Sequence, residues 1–142
     1  MPRTLMKVKL GLLEESGYSK RAIELYTNRV NMGALRNPDI IETYTGPCGD
    51  VIRLCLKVNK NCVIEGAKFH YLGCPGSAAS TSAMIELAKG KTLEQAKKMT
   101  EKDVIKELGG LPEPKLDCAK LAIKTLQKAI ADYEKKRDHI DM

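Results

Sequence analysis

Three of the five cysteines lie where a thiol is suited to chemistry rather than to filling a core. Cys48 stands in the turn TGPCGDV, Cys74 stands in GCPG directly before a predicted helix, and Cys118 lies in the first turn of the last predicted helix. A helix N-terminus carries partial positive charge and free N–H groups, so it favours the thiolate, which binds metals and acts as a nucleophile. Glycines beside Cys48 and Cys74 let a metal or a cluster approach the backbone.

Two carboxylates accompany these cysteines. Asp50 follows Cys48 by two residues, and Asp117 directly precedes Cys118. The cysteines form no CxxC pair, which argues against a zinc ribbon and against a ferredoxin. Three thiolates leave one coordination position open, and Asp50 or Asp117 can fill it. A soft Fe(II), Fe–S or Zn centre accepts three sulfurs and one oxygen, and the oxygen is the labile ligand.

The remaining cysteines, Cys55 and Cys62, lie within or beside predicted strands and are predicted to be small apolar residues. The odd cysteine count argues against a disulfide framework and favours a reducing, cytoplasmic setting. The opening stretch MPRTLMKVKLGLLEES has a short, interrupted apolar run without a small-residue cleavage site, so we interpret it as a mature N-terminus.

Composition limits the class of protein. The chain has 142 residues, which favours one domain, and 43% of them are apolar, with no Trp and one Phe, so the core must be mostly aliphatic. It contains no run of 18 apolar residues that would predict a membrane span. The net charge of +6 allows nucleic-acid binding as an alternative, but the aromatic residues that single-strand binders interleave are missing, and a soluble lysine-rich surface is favoured.

The apolar pattern predicts strands first and helices after them. A short helix capped by Ser19 precedes three extended segments, IIETYTG, VIRLCLKV and CVIEGAKFHYLG, with a bulge predicted at Gly66. Helices follow in CPGSAASTSAMIELAKG, in TLEQAKKM with its capping box, in TEKDVIKELGG, and from about residue 116 to residue 137. The predicted fold class is α+β, a three-stranded antiparallel sheet with helices packed on one face.

Four stretches in order, AIELYTNRVNMG, CGDVIRLCLKV, YLGCPGSAASTSAMIELAKGKTLEQA and LPEPKLDCAKLAIKTLQKAIADY, resemble the U-type iron–sulfur cluster scaffold family, that is, IscU and the N-terminal domain of NifU. The resemblance spans about residues 20 to 137. It implies a scaffold, not an enzyme, on which [2Fe–2S] clusters are assembled from Fe²⁺ and sulfur and then passed to apo Fe–S proteins. The sulfur would arrive as a persulfide from a cysteine desulfurase, and a ferredoxin-type donor would supply electrons.

Carried over residue by residue, the resemblance assigns Cys48, Asp50, Cys74 and Cys118 to iron or cluster binding. Asp117 has no counterpart in the family pattern, and we weigh a role for it as a ligand or in tuning the cluster against a structural role at the helix start. We predict Cys118 as the persulfide acceptor, because a helix start after a proline-containing loop can swing toward a partner's active site. Ser77 to Ser82 match the small and hydroxyl residues behind the second cysteine. Leu111–Lys115, LPEPK, resembles the LPPVK segment that binds a chaperone, and a homodimer is a further partner to test.

Some positions depart from the family pattern. The IscU branch has His before the third cysteine, and the zinc-dependent sulfur-transfer branch has Arg there and an insertion between the first two cysteines; this chain has Asp117 and no insertion. The proline of the usual Asn-Pro-Arg-Asn stretch is also missing. The alternative function is a zinc-dependent sulfurtransferase that binds Zn²⁺ through Asp50 and the three thiolates. The predicted division is an N-terminal extension (1–18), a scaffold domain (19–138) and a C-terminal tail (139–142).

Overall fold

A three-stranded antiparallel sheet of order β1–β2–β3 is the layer on which the helices pack. The computed structural model describes residues 3–140, apart from the side chains of Thr4 and of residues 138–140. The strands are β1 (Ile40–Thr45), β2 (Val51–Val58) and β3 (Ile64–Leu72). The helices are α1 (Arg3–Glu15), α2 (Lys20–Thr27), α3 (Pro75–Ala88), α4 (Leu93–Lys97), α5 (Glu101–Leu108) and α6 (Leu116–Ile140), with a 3₁₀ turn at Glu113–Lys115.

The alternation in β2 decides which face of the sheet is covered. Ile52, Leu54 and Leu56 are fully buried, as the period-two pattern predicts for the helix-covered face. The register between β2 and β3 shifts at Lys57/Val58, where Lys57 pairs with Gly66, so the predicted bulge is confirmed. Cys55 lies on the other face and is nevertheless buried, in keeping with its predicted apolar role.

Helix α3 is the central helix of the helical layer. It contacts α2, α5, α6 and β3, and small side chains fill most of it, so neighbouring helices can approach closely. On α6, Ile123, Leu126 and Ile130 form the buried stripe that the helical spacing predicts. The helices therefore cover one face of the sheet, and the predicted α+β fold class is confirmed.

The predicted helix ends also agree with the structure. The Ser19 hydroxyl accepts a hydrogen bond of 3.0 Å from the Ala22 N–H at the start of α2. Thr92 and Gln95 form the reciprocal capping box of α4. Gly109 ends α5 in the left-handed conformation, with φ of 74°. Helix α6 runs three residues beyond the predicted end at residue 137, through Ile140.

Residues 1–18, predicted only as an extension, contain helix α1. Leu13 and Tyr18 are buried against the rest of the chain, and the Lys9 ammonium lies 4.7 Å from the centre of the Tyr26 ring on α2. Residues 1–2, and residues 141–142 of the predicted tail, lie outside the described residues. Among the described residues, no helix has the length and apolar character needed to cross a membrane.

Candidate metal and cluster site

The turn between β1 and β2 carries Cys48 and Asp50. The Gly46 N–H donates to the Asp50 carbonyl at 2.8 Å and the Gly49 N–H donates back to the Gly46 carbonyl at 3.0 Å, so the turn is closed by its own backbone. Gly46 is buried against α6, where a Cβ would lie 3.0 Å from a methyl carbon of Leu121. This close approach holds the turn beside the first turns of α6.

A second glycine allows Asp50 to reach the start of α3. A Cβ on Gly73 would lie 2.5 Å from the carboxyl carbon of Asp50, so any larger residue would force that carboxylate away. One carboxylate oxygen of Asp50 lies 3.5 Å from the Cys74 backbone nitrogen and 3.4 Å from the Cys74 Sγ, and it also accepts a hydrogen bond from the Ser77 hydroxyl. Burial alone would raise the pKa of Asp50, but the hydrogen bonds that its carboxylate accepts, from the Ser77 hydroxyl and the Cys74 backbone N–H among others, outweigh burial and lower that pKa.

Cys74 and Cys118 are brought together by two helix starts. Cys74 is the N-cap residue of α3, with Pro75 at the first helical position, and Cys118 lies in the first turn of α6. Their sulfur atoms are 3.7 Å apart, and the Ser77 hydroxyl lies 3.6 Å from each. One carboxylate oxygen of Asp50 and the two sulfurs all lie within 4.8 Å of one another, which is the spacing of ligands around one metal ion.

The hydrogen bond between the two thiols moves their pKa values in opposite directions. The hydrogen bond from Cys118 lowers the pKa of Cys74 to about 5, and the Ser77 N–H at the start of α3 contributes in the same direction. The same hydrogen bond raises the pKa of Cys118, and burial raises it further. The negative charge on Cys74 in turn raises the pKa of Lys115. These shifts favour a pair that carries one negative charge, with the charge on Cys74, the proton on Cys118 and the Lys115 ammonium nearby.

The remaining predicted residues line a cavity of about 700 Å³ next to this cluster. Cys48 is exposed on the wall of the cavity, and its sulfur lies outside the compact group of three ligand atoms. Asp117 is exposed on the same wall, and its carboxylate is also outside that group. Lys115, Lys120 and Lys124 line the cavity as well and give it a positive rim. The structure thus brings Asp50, Cys74 and Cys118 together and places Cys48 and Asp117 at the rim.

Cys55 and Cys62 lie apart from this group. Cys55 is buried in β2 and Cys62 is half-buried in the turn before β3. Neither lines the cavity. Both are consistent with the structural roles predicted for them.

Of the residues near the sulfurs, Tyr18 was not identified from the sequence, and Gly76 was noted only as one of the glycines beside Cys74. A Cβ on Gly76 would lie 3.1 Å from the Cys118 sulfur, 3.2 Å from the Tyr18 hydroxyl oxygen and 3.5 Å from the Cys74 sulfur. Because Gly76 has no side chain, the side chains of Tyr18, Cys74 and Cys118 can all approach its backbone closely. No sequence signal marks Tyr18, since it precedes Cys74 by more than fifty residues and belongs to the segment before α2.

The fold and the site together define an α+β domain with a thiolate and carboxylate cluster at one end of its sheet. Comparison with known families gives the class a name: the model for the NifU-like N-terminal domain matches residues 17–139. The chain is 40% identical over 125 residues to the iron–sulfur cluster assembly scaffold protein IscU 1 of Archaeoglobus fulgidus, covering 87% of this chain and 81% of that protein. It is 39% identical over 125 residues to IscU of Escherichia coli, covering 85% of this chain and 97% of that protein.

Solved structures agree with this comparison. A protein described as an iron–sulfur cluster assembly scaffold for the SUF system, from Fervidobacterium islandicum, superimposes with a TM-score of 0.67 at 25% identity, covering 80% of this chain and 96% of that chain. A NifU-like N-terminal domain from Brucella abortus shares the fold with a TM-score of 0.67 at 21% identity, over 87% of this chain and 99% of that chain. The chain belongs to the NifU-like N-terminal domain family, as its motifs predict.

Proposed function

We propose that the protein is a scaffold on which [2Fe–2S] clusters are assembled and from which they pass to apo-proteins. The observation that carries the proposal is the convergence of the Asp50 carboxylate with the Cys74 and Cys118 sulfurs within 4.8 Å, beside an open cavity. The family supports it, because the relatives of about 40% identity are named as iron–sulfur cluster assembly scaffolds. The iron and the cluster are cargo of such a protein.

In this proposal the ligands are Cys48, Asp50, Cys74 and Cys118. The proposal is supported by the grouping of the Asp50 carboxylate with the Cys74 and Cys118 sulfurs, and Cys48 would complete the set from the exposed turn that lines the cavity. Because oxygen binds iron in a sulfide cluster more weakly than thiolate does, Asp50 keeps one corner labile and allows release. Asp117, on the rim, is proposed to act through its charge on the cluster.

Sulfur transfer uses the hydrogen-bonded thiol pair. Cys118 is the proposed acceptor: its sulfur, 3.7 Å from that of Cys74, attacks the outer sulfur of the donor's persulfide. The donor's sulfur–sulfur bond breaks, the Cys118 thiol proton passes to the departing donor sulfur, the donor leaves as a thiol, and a persulfide forms on Cys118. Two electrons from a ferredoxin-type donor then cleave this persulfide to the Cys118 thiolate and hydrosulfide. Because Cys118 is only 7% exposed, this step requires the loop before α6 to open.

The proposed partners follow from this chemistry. They are a cysteine desulfurase that supplies the persulfide, a ferredoxin-type electron donor and the apo Fe–S proteins that receive the cluster. A chaperone that binds Leu111–Lys115 and a second copy of the chain are further proposed partners, and the cytoplasm is the proposed location. Leu111 is half-buried, while the 3₁₀ turn that follows is largely exposed, so part of the segment is accessible to a partner.

The test is anaerobic reconstitution with ferrous iron, cysteine and a cysteine desulfurase, followed by visible and Mössbauer spectra. We expect a [2Fe–2S] spectrum from the native chain, and its loss in Cys48→Ser, Cys74→Ser and Cys118→Ser. Cys55→Ser is the matched control, because Cys55 lies in β2 outside the cavity, and it should keep the spectrum. A normal spectrum from any of the first three variants would contradict the ligand set.

The same preparation distinguishes the scaffold function from the zinc-dependent sulfurtransferase, which is the alternative predicted from the sequence. A zinc-dependent sulfurtransferase would purify colourless with one zinc per chain and would remain colourless after reconstitution. Zinc analysis before and after treatment with a chelator, together with the visible spectrum, distinguishes the two functions. A chain that takes up zinc and persulfide but never a cluster would overturn the scaffold proposal.

A further inference from the structure

Tyr18 is a buried polar side chain whose hydroxyl finds no hydrogen-bond acceptor in the part of the apo site that the structure describes. It is 8% exposed, and its hydroxyl oxygen is fully covered and has no hydrogen-bond partner among the described residues. Burying a hydroxyl without a partner is unfavourable, so each such group in a folded protein needs an explanation, and a bound ion is one of those observed. The position of Tyr18 indicates what its partner is.

The hydroxyl lies near the two sulfurs of the site. Its oxygen and the sulfurs of Cys74 and Cys118 all lie within 3.5 Å of one point, the place where a Cβ on Gly76 would stand. Tyr18 does not line the cavity that holds Cys48; it lines the neighbouring groove formed by α1 and the LPEPK loop. The backbone N–H of Gly76, the other polar group beside the oxygen, is a donor and offers no acceptor for the hydroxyl proton.

The chemistry of ligation supplies the missing acceptor. In the apo site the sulfurs of Cys74 and Cys118 lie 3.7 Å apart and form a hydrogen bond with each other. A cysteine binds iron as a thiolate, so both sulfurs are acceptors when a metal or cluster is held. Two thiolate sulfurs favour a hydrogen-bond donor that can reach them, and hydrogen bonds to ionised acceptors are the stronger kind.

We propose that the Tyr18 hydroxyl donates a hydrogen bond to the metal-bound sulfurs of Cys74 and Cys118. The inference rests on the proposed function in that it takes these cysteines as ligands. It adds to the site a residue from the segment before α2, so this segment becomes part of the cargo site. A hydrogen bond of this kind withdraws charge from a ligating sulfur, and such bonds tune the electronic properties of iron–sulfur sites.

The test uses Co(II) bound anaerobically to the full-length apo-protein, and compares the native chain with Tyr18→Phe. The sulfur-to-cobalt charge-transfer band reports directly on the charge at the ligating sulfurs. Without the donor the sulfurs hold more charge, so we expect the band of Tyr18→Phe at longer wavelength and Co(II) binding weaker by roughly three- to tenfold. Tyr26→Phe is the matched control, because Tyr26 lines the same groove but its hydroxyl is not among the three groups that converge at Gly76, and it should change neither quantity.

Apo stability gives a second, independent reading. Because the Tyr18 hydroxyl has no partner in the apo site, Tyr18→Phe should unfold in urea at the same or a higher midpoint than the native apo-protein. A purely structural tyrosine would give a lower midpoint together with weaker binding and an unshifted band. That result, or an unchanged band and affinity in Tyr18→Phe, would overturn the inference. Failure of the native chain to form a [2Fe–2S] cluster would instead overturn the proposed function, because Co(II) binding does not require cluster assembly.

Discussion

In the apo-protein the Cys74 thiol should be ionised at neutral pH, and Cys118→Ala is the change that tests the cause. The hydrogen bond from Cys118 is the largest contribution to the lowered pKa of Cys74, which is about 5. At pH 7 a thiol with this pKa is roughly 99% thiolate, whereas a thiol with the ordinary pKa near 8.5 is roughly 3% thiolate. Removing the Cys118 donor leaves the Ser77 N–H and hydroxyl as the lowering influences, so the pKa of Cys74 should rise toward the ordinary value.

The assay is alkylation of the reduced, metal-free protein across the acid and neutral range, resolved by peptide mass spectrometry so that Cys74 is followed separately from exposed Cys48. The midpoint of the pH profile is the quantity to read. The rate at pH 7 is a poor guide, since nucleophilicity falls with thiol pKa with a slope of about 0.4–0.5. The resulting loss of roughly 25- to 55-fold in intrinsic rate nearly cancels the roughly 30-fold gain in thiolate.

We expect a midpoint near 5 for the native chain and a midpoint higher by more than about one unit for Cys118→Ala. Cys55→Ala, which removes a buried thiol outside the cavity, should leave the midpoint of Cys74 unchanged. A native midpoint near 8.5 would refute the prediction that Cys74 is a thiolate at neutral pH. An unchanged midpoint in Cys118→Ala would refute the hydrogen bond between the thiols and assign the effect to the start of α3 alone.

The remaining predictions concern stability and the labile corner. Because the pKa of Cys74 is lowered to about 5 in the folded chain, the unfolded chain binds more protons than the folded chain between about pH 5 and the ordinary thiol pKa. Apo stability should therefore rise with pH in this range, and it should rise more in the native chain than in Cys74→Ser. Urea midpoints that change equally with pH in both chains would contradict this. Asp50→Ala should slow cluster loss, measured by visible absorbance, and equal or faster cluster decay would count against a labile Asp50 ligand. The same change should lower apo stability by about 1 kcal/mol, because the buried Ser77 hydroxyl loses its acceptor. Gly73→Ala should displace the Asp50 carboxylate, since its Cβ would lie 2.5 Å from the carboxyl carbon, and should alter cluster retention. Gly90→Ala, where the added Cβ meets open space, is its control and should change stability without changing retention.

Much of the fold can be predicted from local sequence patterns. The period-two pattern of β2 predicts the helix-covered face correctly because side chains alternate across a strand whatever its neighbours are. Ser19, Thr92 and Gly109 mark helix ends because capping depends on the residues within one turn. Helix α1 was not predicted. Apolar residues lie on two of its faces, with Leu10 and Leu13 packed inward and Leu5, Val8 and Leu12 exposed, so no single stripe indicates an inner side.

The sequence by itself determined which atoms the site contains. Cys48, Asp50, Cys74 and Cys118 stand out because a turn or a helix start presents each of them, and this depends on the few residues around each one. Their order along the chain also carries the family resemblance that the comparisons confirm.

Only the tertiary structure decided how these atoms meet. Packing of α3 against α6 puts the sulfurs of Cys74 and Cys118 3.7 Å apart, which lowers the pKa of Cys74 and raises the pKa of Cys118. Packing of the segment before α2 behind Gly76 adds the Tyr18 hydroxyl. Distances between residues far apart in the chain depend on the packing of whole elements, and a pKa depends on those distances, so neither can be derived from spacing along the sequence.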